Sequence, residues 1–490
     1  MAREHFDVIV IGAGLSGIDA GVHLQRQNPD KSFVILEGRA QLGGTWDLFR
    51  YPGIRSDSDM YTLGFPFKPW TGDKAIADGA TILEYLNETA REYGLDRKMR
   101  FNHRVVALAW SSDDARWTLD IETPQGRTQF SCGFVLACAG YYRYEQGFTP
   151  DFAGVESFRG RIVHPQSWTD DIDYAGKRVV VIGSGATAVT LVPELAKTAA
   201  HVTMVQRTPT YMVALPGRDG VARALMRLLP RKAAFFLTRW KNVALATAFY
   251  KYCRARPDVA RRRLLALVRA KLGAGYDVEK HFAPPYRPWE QRLCVVPDGD
   301  FFEAVKDGRA SIVTDRIARI TDAGLALESG ATLDADLIVT ATGLILQPLG
   351  GARVTIDGAP LDLGATYYYR GAMFSGVPNL AAVFGYVNAS WTLRADLICD
   401  YVCRLLKTMD ARGARIVTPV RAGAGGARRE AWSDFSSGYF ARAAGKFPVQ
   451  DADKPWRLDQ NYPRDFLDMR YGAIEDGVLR FSSPPTREAA

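Results

Sequence analysis

The sequence predicts an α/β fold of two Rossmann-like domains, one inserted in the other, because a short apolar run, a glycine-rich turn and a helix recur at two places along the chain. The first occurrence is "DVIVIGAGLSGIDAGVHLQRQ" and the second is "KRVVVIGSGATAVTLVPELA". A third observation is the strand-like "DADLIVTATGL", Asp334 to Leu344, read as returning the chain to the first domain, with "FVLACAGYY", Phe134 to Tyr142, as its earlier counterpart. The expected layout is residues 1–157 for the outer domain, 158–334 for the inserted one, and 335–490 for the remainder of the outer domain and the C-terminal region. A basic helical insertion is expected at about 218–275, within the inner domain.

The elements can be justified in order. In the first motif Gly12 permits the tight turn, Gly14 lets the backbone approach a pyrophosphate, and Gly17 lets helix and strand pack closely. Ser16, on the first helical turn, can donate to a phosphate. Glu37 ends the second strand, "SFVILE", 20 residues past Gly17. A carboxylate there suits free ribose hydroxyls. The second motif offers Gly183, Ser184, Gly185, Ala186, Thr187 and Ala188, and 19 residues past Ala188 stands Arg207. The spacing matches and the charge is reversed: Arg207 can grip a 2′-phosphate with a planar fork, and Thr208 can add a hydroxyl. The first site therefore predicts a dinucleotide with a free ribose and the second predicts NADPH. Hydride from NADPH needs an acceptor, which makes FAD the expected resident cofactor.

Composition bounds the rest. The chain has 490 residues, 47% hydrophobic and 24% charged, as in globular proteins. The six cysteines are scattered with no CxxC pair, which fits a reduced, cytoplasmic protein without a redox disulfide or a metal site; Cys399 and Cys403 read as packing on one helix. No secretory segment is read at the start, and the longest charge-free stretch, 371–393, reads as buried core and pocket. The net charge of +8 is uneven: from Val221 to Lys271, 14 Lys or Arg face one acid, Asp258, giving +13 there and −5 elsewhere. That segment is either a solvated helical insertion or a surface resting on anionic membrane or guiding apolar substrates. No nucleic-acid readout motif accompanies it. "RAGAGGARRE", Arg421 to Glu430, reads as a mobile surface loop.

The stretch "GGTWDLFRYPGIRSD", Gly43 to Asp57, resembles the first signature of type I Baeyer–Villiger flavin monooxygenases, and "FRGRIVHPQSWT" resembles the second, with Phe158, Gly160, His164 and Trp168 in place and Thr169 departing. "RYPGIRSDSDMYTLGFPFKPW", "PWEQRLC" and "NASWTL" are most similar to the ethionamide-activating subgroup. The resemblance runs along nearly the whole chain and implies FAD, NADPH, O2 and a small apolar ketone or sulfide as reactants. The reaction it implies is oxidation of ketones to esters or lactones through a flavin C4a-peroxide, with sulfoxidation of sulfides or thioamides beside it. The peroxide anion and its carbonyl adduct need a fixed positive charge. A cation about 4 Å away at an effective dielectric of about 20 contributes roughly 4 kcal/mol.

In the family that cation is an arginine matching Arg292, and the acid pairing with it matches Asp57. The family often has Lys before this arginine; here it is Gln291, which leaves more of the 2′-phosphate to Arg207. Gly44, Thr45 and Trp46 are expected along the flavin, with core packing as the alternative for Trp46. Tyr51 is expected to seal out water, and Val105 to meet the adenine through its backbone. His164 is expected as a hinge contact between domains. Asn388, Ser390 and Trp391 are expected near the flavin's pyrimidine end or in the substrate pocket, with a plain helix cap as the alternative for Asn388. Competing activities are a flavin monooxygenase limited to nitrogen and sulfur, and a flavoprotein NADPH redox sensor.

Overall fold

The computed structural model of the chain describes residues 4–421, 429–433 and 435–484; most of the Gly/Ala/Arg-rich 421–430 segment lies outside them. The outer unit is built on strand Glu4–Ile11, which pairs in parallel with Phe33–Leu36 on one side and Gly126–Ala137 on the other. Val8 to Ile11 are buried on both faces, which is why this strand reads as an unbroken apolar run rather than an alternating one. Gly126–Ala137 continues antiparallel to Arg116–Thr123, and that strand to Arg104–Ser111. Leu380–Ala382, from the charge-free stretch, adds in parallel beside the end of Gly126–Ala137.

The inserted unit has five parallel strands in the order 310–314, 201–206, 178–182, 337–340, 161–163. Leu337–Thr340, expected in the outer domain, instead pairs with Arg178–Ile182 and Arg161–Val163 inside the second sheet. The unit also begins before 158, because Ala153 accepts from Ile320 N and Phe152 packs with Phe158 on the same small core. The chain crosses between units twice, and the crossings lie against each other. Gln347 N donates to Tyr141 O, Arg143 N to Ile345 O and Phe148 N to Gly343 O, at 2.8–3.0 Å, making an antiparallel ribbon.

Three helices, Gly220–Leu228, Arg231–Ala255 and Pro257–Leu272, form the basic insertion. The middle helix reaches the outer unit: buried Arg239 donates through Nη1 to the carbonyls of Tyr61 and Gly64, each at 2.8 Å. The last packs Leu265 and Val268 into the core of the inserted unit. Helix Trp391–Ala411 lies on helix Leu15–Gln27, where Asp396 accepts from His23 Nε2 at 3.0 Å and from Arg470 Nη2 at 2.6 Å. All six cysteines are buried free thiols. Among the described residues no helix is long and apolar enough to cross a membrane.

The turn glycines have different reasons to be glycine. A Cβ on Gly17 would stand 1.8 Å from the Gly12 carbonyl oxygen, whereas one on Gly185 would meet nothing within 4 Å. Gly17→Ala should cost about 2 kcal/mol or more of stability, while Gly185→Ala should stay within about 0.5 kcal/mol of the parent. Thermal unfolding of the two variants side by side checks this contrast.

Candidate active site

A cavity of about 590 Å³ opens where the first glycine motif, the 43–59 loop and the inserted unit meet. Gly12, Gly14 and Ser16 line it at one end, with Glu37 and Val105 beside them. Gly12 has φ +102°, and a Cβ there would strike the Cys138 carbonyl at 2.6 Å, so the turn is closed to any larger residue. Gly44 (φ +55°) brings the loop so close that its Cβ would lie 3.1 Å from Gly14 Cα. Such a glycine-walled cradle at the start of a helix fits a pyrophosphate. Glu37 is buried and accepts from Ala13 N (2.8 Å, Oε2) and Arg39 N (2.9 Å, Oε1), leaving each oxygen a further lone pair. Burial pushes its carboxyl above the usual range, against the pull of those two N–H groups. Ser16 Oγ accepts from Trp391 Nε1 at 2.8 Å, so its own hydroxyl proton is what remains for a ligand.

The loop itself spans the two units. Thr45 and Trp46 line the cavity; Thr45 Oγ1 lies 2.7 Å from Tyr142 Oη, and Trp46 packs also on the main core. Tyr51 is buried in the core of the inserted unit, and its hydroxyl bonds with Thr187. A Cβ on Gly53 would come within 3.0 Å of Glu194 Cβ, on the second motif's helix. Arg55 makes a two-pronged ion pair with Asp300 of the inserted unit. Beyond these ties Asp57 reaches the cavity and meets Arg292, with Oδ2 3.6 Å from Nε. The arginine side chain is 40% exposed and the aspartate 19%, so the pair stands at a half-wet wall with the remaining guanidinium N–H groups available.

At the second motif, Gly183 (φ +131°) sits under the Ala341 carbonyl and Ala188 is buried against the sheet. Ser184 Oγ donates to Thr208 O at 2.9 Å, tying the turn to the segment after Arg207. Ala186 and Thr187 face the shared cavity. Arg207 is exposed and, among the described residues, makes no ion pair; Thr208 is half-buried beside it. His164 bonds across the crossing: Nδ1 accepts from Gln166 N at 3.1 Å, so Nε2 carries the proton donated to Gly343 O, also at 3.1 Å. That makes it a neutral connector, and burial pushes its pKa below the ordinary value. Asn388 does not cap a helix. Helix Trp391–Ala411 starts after Ser390, whose hydroxyl makes no capping bond, and Asn388 Nδ2 donates instead to Gln460 O at 2.8 Å. Of that trio only Trp391 lines the cavity.

The tyrosine wall was missed at the sequence level. Tyr141 stacks on Trp391 with ring centroids 5.1 Å apart, and Tyr142 stacks on Tyr144 at the same distance. All three tyrosines line the cavity, and burial raises their hydroxyl pKa values, so they stay neutral. Their signal was the run of rings directly after Gly140 in "ACAGYYRY".

Two dinucleotide-type turns sharing one cavity, with an arginine–aspartate pair between them, define a two-nucleotide oxidoreductase of the flavin monooxygenase class. Residues 65–253 match the family model described as flavin-binding monooxygenase-like, and residues 10–71 match that of an NAD(P)-binding Rossmann-like domain. The chain is 52% identical over 483 residues to the FAD-containing monooxygenase EthA of Mycobacterium tuberculosis, covering 98% of this chain and 99% of that one. It is 50% identical over 480 residues to EthA of Mycolicibacterium smegmatis, covering 98% and 97%. The chain belongs to the EthA family of FAD-containing monooxygenases. Its fold is shared with a steroid monooxygenase bound to NADP, at 23% identity and a TM-score of 0.77, covering 98% of this chain and 100% of that one. It is shared also with OTEMO in complex with FAD and NADP, at 21% identity, the same TM-score and the same coverage.

Because the His164 pKa is lowered on folding, the unfolded chain binds that proton more tightly. The stability this neutral ring contributes is present above its unfolded pKa and is lost as pH falls toward the folded one. His164→Asn should therefore lose less thermal stability than the parent between about pH 7 and about pH 5, which paired melting curves check.

Proposed function

We propose that the chain is an NADPH- and O2-dependent monooxygenase that converts apolar ketones to esters or lactones and also oxygenates sulfides or thioamides. The observation that carries this reading is the meeting of Asp57 and Arg292 from different units at the wall of the cavity lined by the first glycine motif. Names of relatives support the cofactors: EthA is FAD-containing, and OTEMO was solved with FAD and NADP. Bound FAD supplies, once reduced, the activation of O2 that no side chain provides.

The chain's own residues do the rest. Gly12, Gly14 and Gly44 leave room for a pyrophosphate, and Glu37 offers its free lone pairs to ribose hydroxyls. Arg207 takes the 2′-phosphate of NADPH at the exposed end of its strand. Arg292 holds negative charge next to the reacting carbonyl, which stabilises an oxyanion more than the neutral ketone and so lowers the barrier. Asp57 fixes the direction of the guanidinium. Trp46 and Tyr51 keep water from that corner, where exclusion strengthens each charge–charge contact. The enzyme works in the reduced cytoplasm, with the basic segment 221–271 in peripheral contact with an anionic membrane surface.

Arg292→Ala should cut ester formation by about a thousandfold or more while NADPH oxidation continues. Gas chromatography of products from a ketone panel, run beside NADPH and O2 consumption, checks it; a variant that kept sulfoxidation and lost only esters would separate the two oxygenations. Arg207→Ala should lower kcat/KM for NADPH by about tenfold to a hundredfold and leave that for NADH nearly unchanged, read from steady-state kinetics with each nucleotide.

A further inference from the structure

We infer that the membrane contact is made by one aromatic seam, where helix Arg231–Ala255 meets helix Tyr462–Tyr471, and that this seam seats on anionic lipid directly outside the wall of the cavity. The inference rests on the membrane part of the reading above and extends it beyond the basic segment to the C-terminal helix. Phe236, Leu237 and Trp240 recur at helical spacing on one stripe of the first helix, yet Phe236 is 58% exposed and Leu237 46%. Trp240 touches Phe466 edge-on, with centroids 5.2 Å apart, and Phe466 touches Tyr471 at 5.9 Å. Leu467, next to Phe466, is 61% exposed and Tyr471 is 71% exposed. Side chains of this size left open in a continuous patch mark a surface that something apolar covers.

Charge selects the occupant. At the N-terminal end of the stripe Arg227, Arg231 and Lys232 are exposed and, among the described residues, form no ion pair. Leu228 and Leu229 stand among them, the first 80% exposed. Aromatic and leucine side chains rimmed by unpaired cations match the acyl boundary and headgroups of an anionic bilayer.

The seam also has an inward connection. Trp240 packs on Tyr462 (5.7 Å), and Tyr462 packs on Tyr386 (6.2 Å), a residue of the cavity wall. Seating here brings the lipid phase, where apolar ketones and sulfides partition, to within two packed rings, Tyr462 and Tyr386, of the cavity.

The test is sedimentation of the full-length, FAD-loaded protein with vesicles of phosphatidylcholine alone or with about 30 mol % phosphatidylglycerol. The protein should pellet with the anionic vesicles only, and less as salt rises. Phe236→Ser with Leu467→Ser, and separately Arg231→Glu with Lys232→Glu, should each weaken partitioning by about tenfold or more, with melting temperatures and turnover of a water-soluble ketone held at parent values. Equal binding to neutral vesicles, no binding to either, or unchanged binding by both variants overturns the inference. So does a dimer in vesicle-free buffer that the Phe236→Ser, Leu467→Ser variant dissolves. The readout is independent of the proposed reaction: esters formed without vesicle binding refute the seam alone, and vesicle binding without esters refutes the reaction alone.

Discussion

The structure depends on how the 43–59 loop is wedged between two sheets that fold on separate cores. Its near end is pressed to the first glycine turn, where a Cβ on Gly44 would stand 3.1 Å from Gly14 Cα. Its middle is pressed to the second unit's helix through Gly53 and Tyr51, and Arg55 locks it to Asp300. A chain held at three points has little freedom left, so Asp57 arrives at one place relative to both nucleotide turns. The composition of the loop follows from this duty. Glycine is needed where backbones touch, aromatics where two cores must be joined without water, and arginine where the join lies at the surface.

The Asp57–Arg292 pair gains its geometry from that wedge. Arg292 precedes a strand of the inserted unit, Cys294–Pro297, and Asp57 belongs to the outer one. At 3.6 Å, and partly in water, their attraction is modest compared with a buried pair, so Asp57 orients the guanidinium without taking up its other N–H groups. A tighter, drier ion pair would satisfy the arginine and spend it on stability. The neighbouring tyrosines, kept neutral by burial, add shape and hydrogen-bonding capacity without competing charge.

Much of this was legible in the chain. The glycine spacing and the exchange of Glu37 for Arg207 depend on local geometry, so sequence carries them directly. The loop's motif brought Asp57 with it. What failed depended on tertiary choice. "LIVT" is an apolar run that would suit the middle of either sheet, and nothing local says which, so the boundary at 334 fell one strand early. Asn388 and Ser390 lie just before a helix, and an offset of a residue or two decides whether a side chain caps it or turns to Gln460. The bond from Trp391 to Ser16, 375 residues apart in sequence, has no local signal either, and it leaves the serine hydroxyl proton available. The tyrosine wall was spelled out in plain letters, but only stacking on Trp391 shows that it faces inward.

The two crossings between the units have a mechanical consequence. Hydrogen-bonded side by side, they form a narrow two-stranded strip rather than a pair of loose tethers. A strip of that kind bends and twists more readily than a wide sheet, but its hydrogen bonds resist sliding of one strand along the other. Any displacement of the inserted unit has to bend this strip, as a page bends at its spine. Arg292 belongs to the inserted unit, so its place at the cavity wall is tied to this strip as well as to the 43–59 loop.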